Sequence, residues 1–429
     1  MVLEYLCFRH TVNNMRVSKG WRDYLSKLPR LWMHLDLSGA RKAVPRSFVD
    51  KAVRRSENRL TRATIHRFEH VDVLKNIAKS CKSLAEVEFV SLPHAISSTL
   101  TEIVQHAPSL SKLIIHPEIT VDAATQMLSS RPTLKHVSFN SVRRSRHVAD
   151  WIGPFPKLET FTMHHTEMTL TTGVSLANLL NNTSDLKTLK FTNLHIHDPA
   201  GTLSVLTTIP LTTLVLRKVQ FDRFPVLPPT LQRLVIEYYG PFRLYEPGAM
   251  LLQSKLPALT HLAFTDINDL SPRLLGMLLD QFIDGDDQGQ QKVLQDATPL
   301  QSVSIRGLLD NQVPGLFNPN TRSLFTVSPR ILTPSLHTLD IATLPCNDDE
   351  IEHLLSHKTG LASINLSSTQ ITGASIKMLA DSLPSLKSIR AENCPRISGR
   401  DAIEYARRKG ISVSCSMDEG KGSRKVRYG

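Results

Sequence analysis

Twelve times along this chain the pattern apolar-x-x-apolar-x-apolar returns, beginning at Leu84, Leu110, Leu134, Leu158, Leu186, Leu211, Leu231, Leu259, Leu300, Leu336, Leu361 and Leu386. Each copy reads like Leu110-x-x-Leu113-x-Ile115 or Leu186-x-x-Leu189-x-Phe191. Alternate apolar positions suit a short strand with one buried face, and the first leucine anchors its start. One hexad would be noise. Twelve in phase oblige every repeat to contribute a strand and to bury it against its neighbours.

The segments between the hexads supply the cover. Leu100, Ile103, Val104 and Ala107 have the i, i+3, i+4, i+7 spacing of a helix with one apolar stripe, and Ile376, Leu379, Ala380 and Leu383 repeat it. Ile351, Leu354 and Leu355 give a shorter third case. Proline stands two residues before the strand leucine at Pro108, Pro132, Pro156, Pro229, Pro257, Pro334 and Pro384, and directly before it at Pro210 and Pro299. Proline ends a helix and pushes its predecessor towards extended geometry, so each closes one outer helix and feeds the next strand. Such a register excludes a Pro-rich linker. The pattern is that of a leucine-rich-repeat solenoid, and the expected fold is α/β, with about 12 strand–helix repeats over residues 84–415.

With 41% hydrophobic and 21% charged residues, the chain has ample material for a core. No apolar run approaches the ~20 residues that span a bilayer. Residues 1–10 lack a basic region leading into a clean apolar stretch, so neither a signal peptide nor a membrane partner is expected. Cys7, Cys81, Cys346, Cys394 and Cys415 are odd in number and contain no C-x-x-C pair. That points to a reducing compartment, cytoplasm or nucleus, with no structural zinc. The net charge of +12 is clustered: nine cations against Asp50 and Glu57 across 41–67, then Arg143, Arg144 and Arg146, then Lys421, Arg424, Lys425 and Arg427 in an expected disordered tail, 416–429. Such patches attract anions, nucleic acid included, but no DNA- or RNA-binding motif and no aromatic ladder accompanies them.

The first 40 residues depart from the hexads. Leu3 and Leu6, then Val12, Met15 and Val17, sit on short amphipathic helical segments, followed by Trp21 and then Leu31-Trp32. Val2-Leu3-Glu4-Tyr5-Leu6 matches an I-L-x-x-L helix, Val17-Ser18-Lys19-Gly20-Trp21 a V-C-K-x-W stretch, and Leu31-Trp32 a closing L-W. In these residues segment 1–40 resembles an F-box, the helical module that docks substrate receptors onto the Skp-type adaptor of SCF ubiquitin ligases. An F-box followed by leucine-rich repeats is similar to the order in fungal F-box–LRR receptors. The family's opening helix, with its Leu-Pro element, has no counterpart, because Met1 falls inside the second segment of the motif. The resemblance implies that Leu3, Leu6, Val12, Met15, Val17, Trp21, Leu31 and Trp32 face an adaptor that belongs to a cullin ligase complex. Residues 41–83 read as a basic linker or as degenerate first repeats, Trp32-x-x-Leu35-x-Leu37 and Leu60-x-x-Ala63-x-Ile65.

At the other end, Leu386-x-x-Ile389-x-Ala391-x-x-Cys394-x-x-Ile397-Ser398 resembles the cysteine-containing repeat of the F-box–LRR family, and the repeat from Leu361 through Thr369 is a close relative. Cys394 is accordingly expected to cap backbone amides where the chain leaves its strand, not to act as a nucleophile. The long spacings after Leu259 and Leu300 place insertions at 281–295 and 310–327, expected as loops. The first contains Asp284-Gly285-Asp286-Asp287-Gln288-Gly289, which fails as a calcium loop because Gln288 and Gln295 hold its fifth and twelfth positions.

Positions between the buried ones face the concave surface of a solenoid. Lys112, His136, Lys190, Arg233, His261 and Arg390 fall there, with Arg217 and Arg306 just beyond their strands. These eight are the candidate substrate-binding residues. They form a net basic row suited to an acidic or phosphorylated segment of a protein substrate, because arginine matches carboxylate and phosphate geometry. No catalytic or cofactor-binding motif is present, and His164-His165 and His195-x-His197 are expected as surface residues at strand exits. The expected role is a non-catalytic substrate-recognition subunit of an SCF ligase. The alternative is an adaptor-independent scaffold held on chromatin or RNA by its basic patches.

Overall fold

The computed structural model describes residues 8–92, 97–143, 151, 153–222, 225–237, 256–267, 300–307, 332–344, 346–357 and 359–416. The chain divides into two compact units, Met1–Pro210 and Leu211–Gly429.

In the first unit, α1 (Phe8–Asn14), α2 (Lys19–Ser26) and a 3-10 turn (Pro29–Trp32) precede β1 (His34–Asp36), α3 (Arg46–Arg55), β2 (Arg62–His66) and α4 (Val71–Ser80). There follow β3 (Glu86–Ser91), α5 (Ser97–His106), β4 (Lys112–Ile115), β5 (Ile119–Thr120), α6 (Val121–Ser130), β6 (His136–Phe139), β7 (Val142–Arg143), β8 (Thr160–Thr172), α7 (Gly173–Asn181) and β9 (Thr188–His197). Strands β1-β2-β3-β4-β6-β8-β9 lie in that order and pair in parallel, while β5 and β7 form a separate ladder. Neighbours in sequence are neighbours in the sheet, because each crossover returns the chain by one repeat.

The hexad positions stack into rows. Val87, Leu113, Val137, Phe161 and Leu189 are in register, as are Phe89, Ile115, Phe139, Met163 and Phe191, and all are buried. Each such side chain contributes about 1.5–3 kcal/mol by leaving water. Phe161 makes edge-to-face contacts with Phe139, Phe191 and Trp151 at centroid distances of 6.1, 6.4 and 5.6 Å.

The second unit carries β10 (Thr213–Phe221), β11 (Arg233–Glu237), β12 (His261–Ile267), β13 (Ser302–Gly307), β14 (Thr338–Asp340), α8 (Asp348–Leu355), β15 (Ser363–Asn365), α9 (Gly373–Ser382), β16 (Ser388–Arg390), α10 (Asp401–Arg408) and β17 (Ser412–Ser414). These strands also pair in chain order and in parallel. Each of the twelve hexads leads into a strand, and β1, β2 and β17 add strands after Trp32, Leu60 and Ile411. The three helices expected from Leu100, Ile351 and Ile376 are α5, α8 and α9.

One helix per repeat does not hold everywhere. A 3-10 helix, Thr202–Thr208, follows β9, and the described residues between β10 and β11 contain no helix. Only 20 residues separate Leu211 from Leu231, and Pro225, Pro228 and Pro229 remove amide donors from that span. At several of the α-helices that do form, a hydroxyl or amide side chain at the start accepts a first-turn N–H. Thr120 takes that of Ala123, Thr172 that of Ser175, Asn347 that of Glu350 and Thr372 that of Ala374.

Two expectations about single residues are corrected. The Cys394 thiol and the Thr369 hydroxyl do not cap amides: both donate to the Leu366 carbonyl, at 3.2 and 2.7 Å. The cause is the same need to satisfy buried backbone groups, met at the carbonyl instead. His164-His165 is not at a strand exit, because β8 runs on to Thr172. Alternation then turns His165 inward, where it is buried and its Nδ1–H donates to the Val142 carbonyl at 2.6 Å.

Candidate functional site

Short helices at the end of a repeat stack must bury one side and leave the other to solvent, and α1 and α2 divide the candidate adaptor residues accordingly. Trp32 is wholly buried, and its indole N–H donates to the Leu25 carbonyl at 2.9 Å. The Arg55 guanidinium lies 4.5 Å over its ring, and Phe8 meets it edge-on at 5.8 Å. Met15 and Leu31 are buried beside it, and Val12 is half-buried. These residues fasten the helices to the repeats. Val17, Trp21 and Tyr24 point the other way, at 70%, 42% and 53% exposure, with Trp21 and Tyr24 edge-to-face at 6.3 Å. The Ser18 hydroxyl accepts the Trp21 amide at 3.1 Å and so fixes the start of α2. Lys19, Arg22 and Lys27 flank the aromatic pair in sequence and are exposed, against Asp23 alone within α2. Leu3 and Leu6 lie outside the described residues. Phe8 and Tyr24 were not legible as site residues: no heptad or hexad singles them out.

On the open face of the first unit, two rows cross the strands. Arg62, Glu86, Lys112, His136 and Thr160 form one, and Thr64, Glu88, Ile114, Ser138 and Thr162 the other. Glu86 Oε2 accepts from Arg62 Nε at 2.8 Å and faces Lys112 Nζ at 3.4 Å. Burial opposes ionisation of Glu86, but hydrogen bonds and charge attraction from Arg62 and Lys112 prevail and hold its carboxyl below the usual range. Glu88 sits 3.0 Å from His116 Nε2, the Asn140 amide nitrogen 2.9 Å from His116 Nδ1, and the Ser138 hydroxyl donates to Asn140 Oδ1 at 2.7 Å. The charged row borders a depression of about 170 Å³ lined by Arg62, Thr64, Glu86, Glu88, Lys112 and Ile114. His136 and Lys190 are exposed on this face.

The second unit pairs three of its four candidate arginines. Arg217 Nε is 2.9 Å from Glu237 Oε2, Arg306 Nε donates to Asp340 Oδ2 at 2.9 Å, and Arg390 Nη2 donates to Glu392 Oε2 at 2.8 Å. Glu392 holds Arg390 above its ordinary value, by hydrogen bond and by charge. The net basic row expected from the sequence thus carries a carboxylate partner at three of its arginines. Arg233 is exposed, and its neighbour across the sheet is His261.

Among the described residues, no group of three or more His, Cys, Asp and Glu side chains is arranged to hold a metal ion. No described helix is long and apolar enough to cross a membrane. The acidic loop at 284–289 and both insertions, 281–295 and 310–327, lie outside the described residues.

No protein-family description matches the sequence, and no curated protein matches it. Among solved structures the chain is similar to a leucine-rich-repeat protein of Leptospira interrogans, at 17% identity and a TM-score of 0.46, covering 87% of this chain and 81% of that one. It is also similar to the Rad7 and Elc1 complex from yeast, at 12% identity and a TM-score of 0.41, covering 94% and 96%.

Proposed function

We propose that this chain is a non-catalytic substrate receptor of an SCF-type ubiquitin ligase, with the outer face of α2 docking a Skp-type adaptor and the open faces of the sheets receiving a protein substrate. One observation carries the reading. The large apolar side chains exposed on the described surface are Val17, Trp21, Tyr24, Leu170 and Val174, and three of these five lie within eight residues of α2 and its approach. A clustered aromatic patch with a polar rim marks a protein-binding site rather than a solvated cap. Its position agrees with the V-x-x-x-W element of the F-box resemblance, and the burial of Met15, Leu31 and Trp32 gives that patch a rigid backing.

Co-elution of the chain with a purified Skp-type adaptor tests it. The wild-type chain should co-elute, and Trp21→Ala with Tyr24→Ala should abolish the complex at unchanged thermal stability. Failure of the wild-type chain to co-elute overturns the receptor reading in favour of an adaptor-independent scaffold.

A further inference from the structure

Nearly all of the chain's net charge sits at one end. Residues 8–67 hold 15 Lys and Arg against Asp23, Asp36, Asp50 and Glu57, a net of +11, so the rest of the chain adds only +1 to the total of +12. No acidic residue stands between Phe8 and Arg22. Carboxylates reach Arg46, Arg59 and Arg62. Arg16, Lys19, Lys27, Lys42, Lys51 and Arg54 are exposed and pair with no carboxylate among the described residues. Helices α2 and α3 bring guanidinium groups together at Met15, whose carbonyl accepts from Arg22 Nε at 3.4 Å and whose sulfur lies 3.8 Å from Arg55 Nη1. Like charges gathered without acid between them repel one another, and an anionic surface relieves that repulsion.

The exposed Val17, Trp21 and Tyr24 lie within this basic segment, at the i, i+4, i+7 spacing of one helical face. Trp and Tyr combine an apolar body with a polar tip, which suits them to the headgroup level of a bilayer. A free helix of eight residues would be marginal in water, but the burial of Leu25 and Trp32 fixes α2 in advance, so little ordering remains for binding.

We propose that this N-terminal region docks on a bilayer surface rich in anionic phospholipid, with Val17, Trp21 and Tyr24 at the headgroup level and the cations of α2, α3 and the loop before α3 against the phosphates. The expectation of no membrane partner rests on the lack of a spanning segment, and docking on a surface needs none. The cations come from two helices and a loop, in no register with one another. Lipid headgroups move laterally to meet such a scatter, whereas an acidic protein must match it group by group. The Trp21 and Tyr24 rings lie at 81° to each other, so they do not form the succession of parallel platforms on which bases stack. The adaptor proposed for α2 would cover the same two rings. Bilayer docking stands without that reading, and the two partners compete only where both readings hold.

The test mixes the full chain, without adaptor, with vesicles of phosphatidylcholine alone or of phosphatidylcholine and phosphatidylserine. Of the chain's three tryptophans, Trp32 and Trp151 are buried, so a change in intrinsic emission reports on Trp21. Phosphatidylserine vesicles should move the emission to shorter wavelength and carry the chain into the vesicle pellet, and salt of about 500 mM should reverse both. Lys51→Glu with Arg54→Glu should weaken binding about tenfold or more. Trp21→Ala with Tyr24→Ala should weaken it as well and abolish the emission change. Circular dichroism establishes that each variant is folded. Equal binding to phosphatidylcholine alone, or unchanged binding by either folded variant, would overturn the proposal. So would the same emission shift from soluble polyglutamate or from an oligonucleotide, which would assign the surface to an acidic protein or to nucleic acid. Adaptor binding is measured without lipid, so either reading can fail while the other stands.

Discussion

A buried histidine reports on its surroundings through the proton it refuses. His165 donates Nδ1–H to the Val142 carbonyl, and its Nε2 is buried with no partner among the described residues. Protonation would place a second N–H where nothing accepts it. Burial lowers its basicity first, the bond to Val142 pushes back, and neighbouring His164 lowers it further, with the net below the ordinary 6.5. The folded value lies below the unfolded one, so the stabilising share of neutral His165 is complete above about pH 6.5 and is lost as pH falls towards the folded value. Wild type should lose more stability than His165→Gln between pH 7.5 and pH 5.5, by no more than about 1.4 kcal/mol per pH unit. Chemical denaturation at the two pH values measures this. Parallel losses in both proteins would mean that His165 finds a partner when charged.

Helix α2 is held in place by Trp32, whereas Trp21 lies on its exposed face, where docking is proposed, and substitution separates the two. Trp32→Ala removes the bond to the Leu25 carbonyl, the Arg55 contact and the Phe8 contact together, so it should cost about 3–5 kcal/mol and expose residues 8–26 to trypsin. Trp21→Ala, on the exposed face, should stay within about 0.5 kcal/mol of wild type. Equal losses would mean that Trp21 also anchors the helix. The two tryptophans read alike in the sequence, since both fit the F-box pattern and a motif does not say which side of a short helix meets the core. The hexads were legible for the opposite reason: a period of two, repeated in phase, names the buried face of every strand before any contact is known. Trp151 was not legible, because a lone aromatic without a period gives no address. Nor were the carboxylates that neutralise the arginines. Glu237 reaches Arg217 and Asp340 reaches Arg306 from the next repeat, 34 residues away in the second case, and no local pattern links residues so far apart.

At the scale of the molecule, the excess of 12 positive charges raises the question of whether nucleic acid is a partner, and the placement of the charges bears on the answer. Much of the described basic surface is answered by acid: Arg46 by Asp50 and Asp72, Lys75 by Glu102, and Lys135 and Lys187 by Glu159 between them. Arg54 and Arg55 occupy the last turn of α3 and Lys79 that of α4, where the carbonyl ends of a helix favour cations without any ligand. The exposed aromatic pair, Trp21 and Tyr24, is an isolated T-shaped contact and not a succession of platforms on which bases stack. A charge distribution of this kind gives sequence-independent attraction, with a Kd of about 10⁻⁴–10⁻⁶ M at physiological salt, and releases its ligand as counterions return. Fluorescence anisotropy on a labelled single-stranded oligonucleotide should therefore show weak binding in 50 mM salt that disappears in 200 mM, alike for several sequences. Nanomolar binding that persists in 200 mM salt would require phosphate and base contacts that the described surface does not provide, and would favour a nucleic-acid-bound scaffold over the proposed ligase receptor.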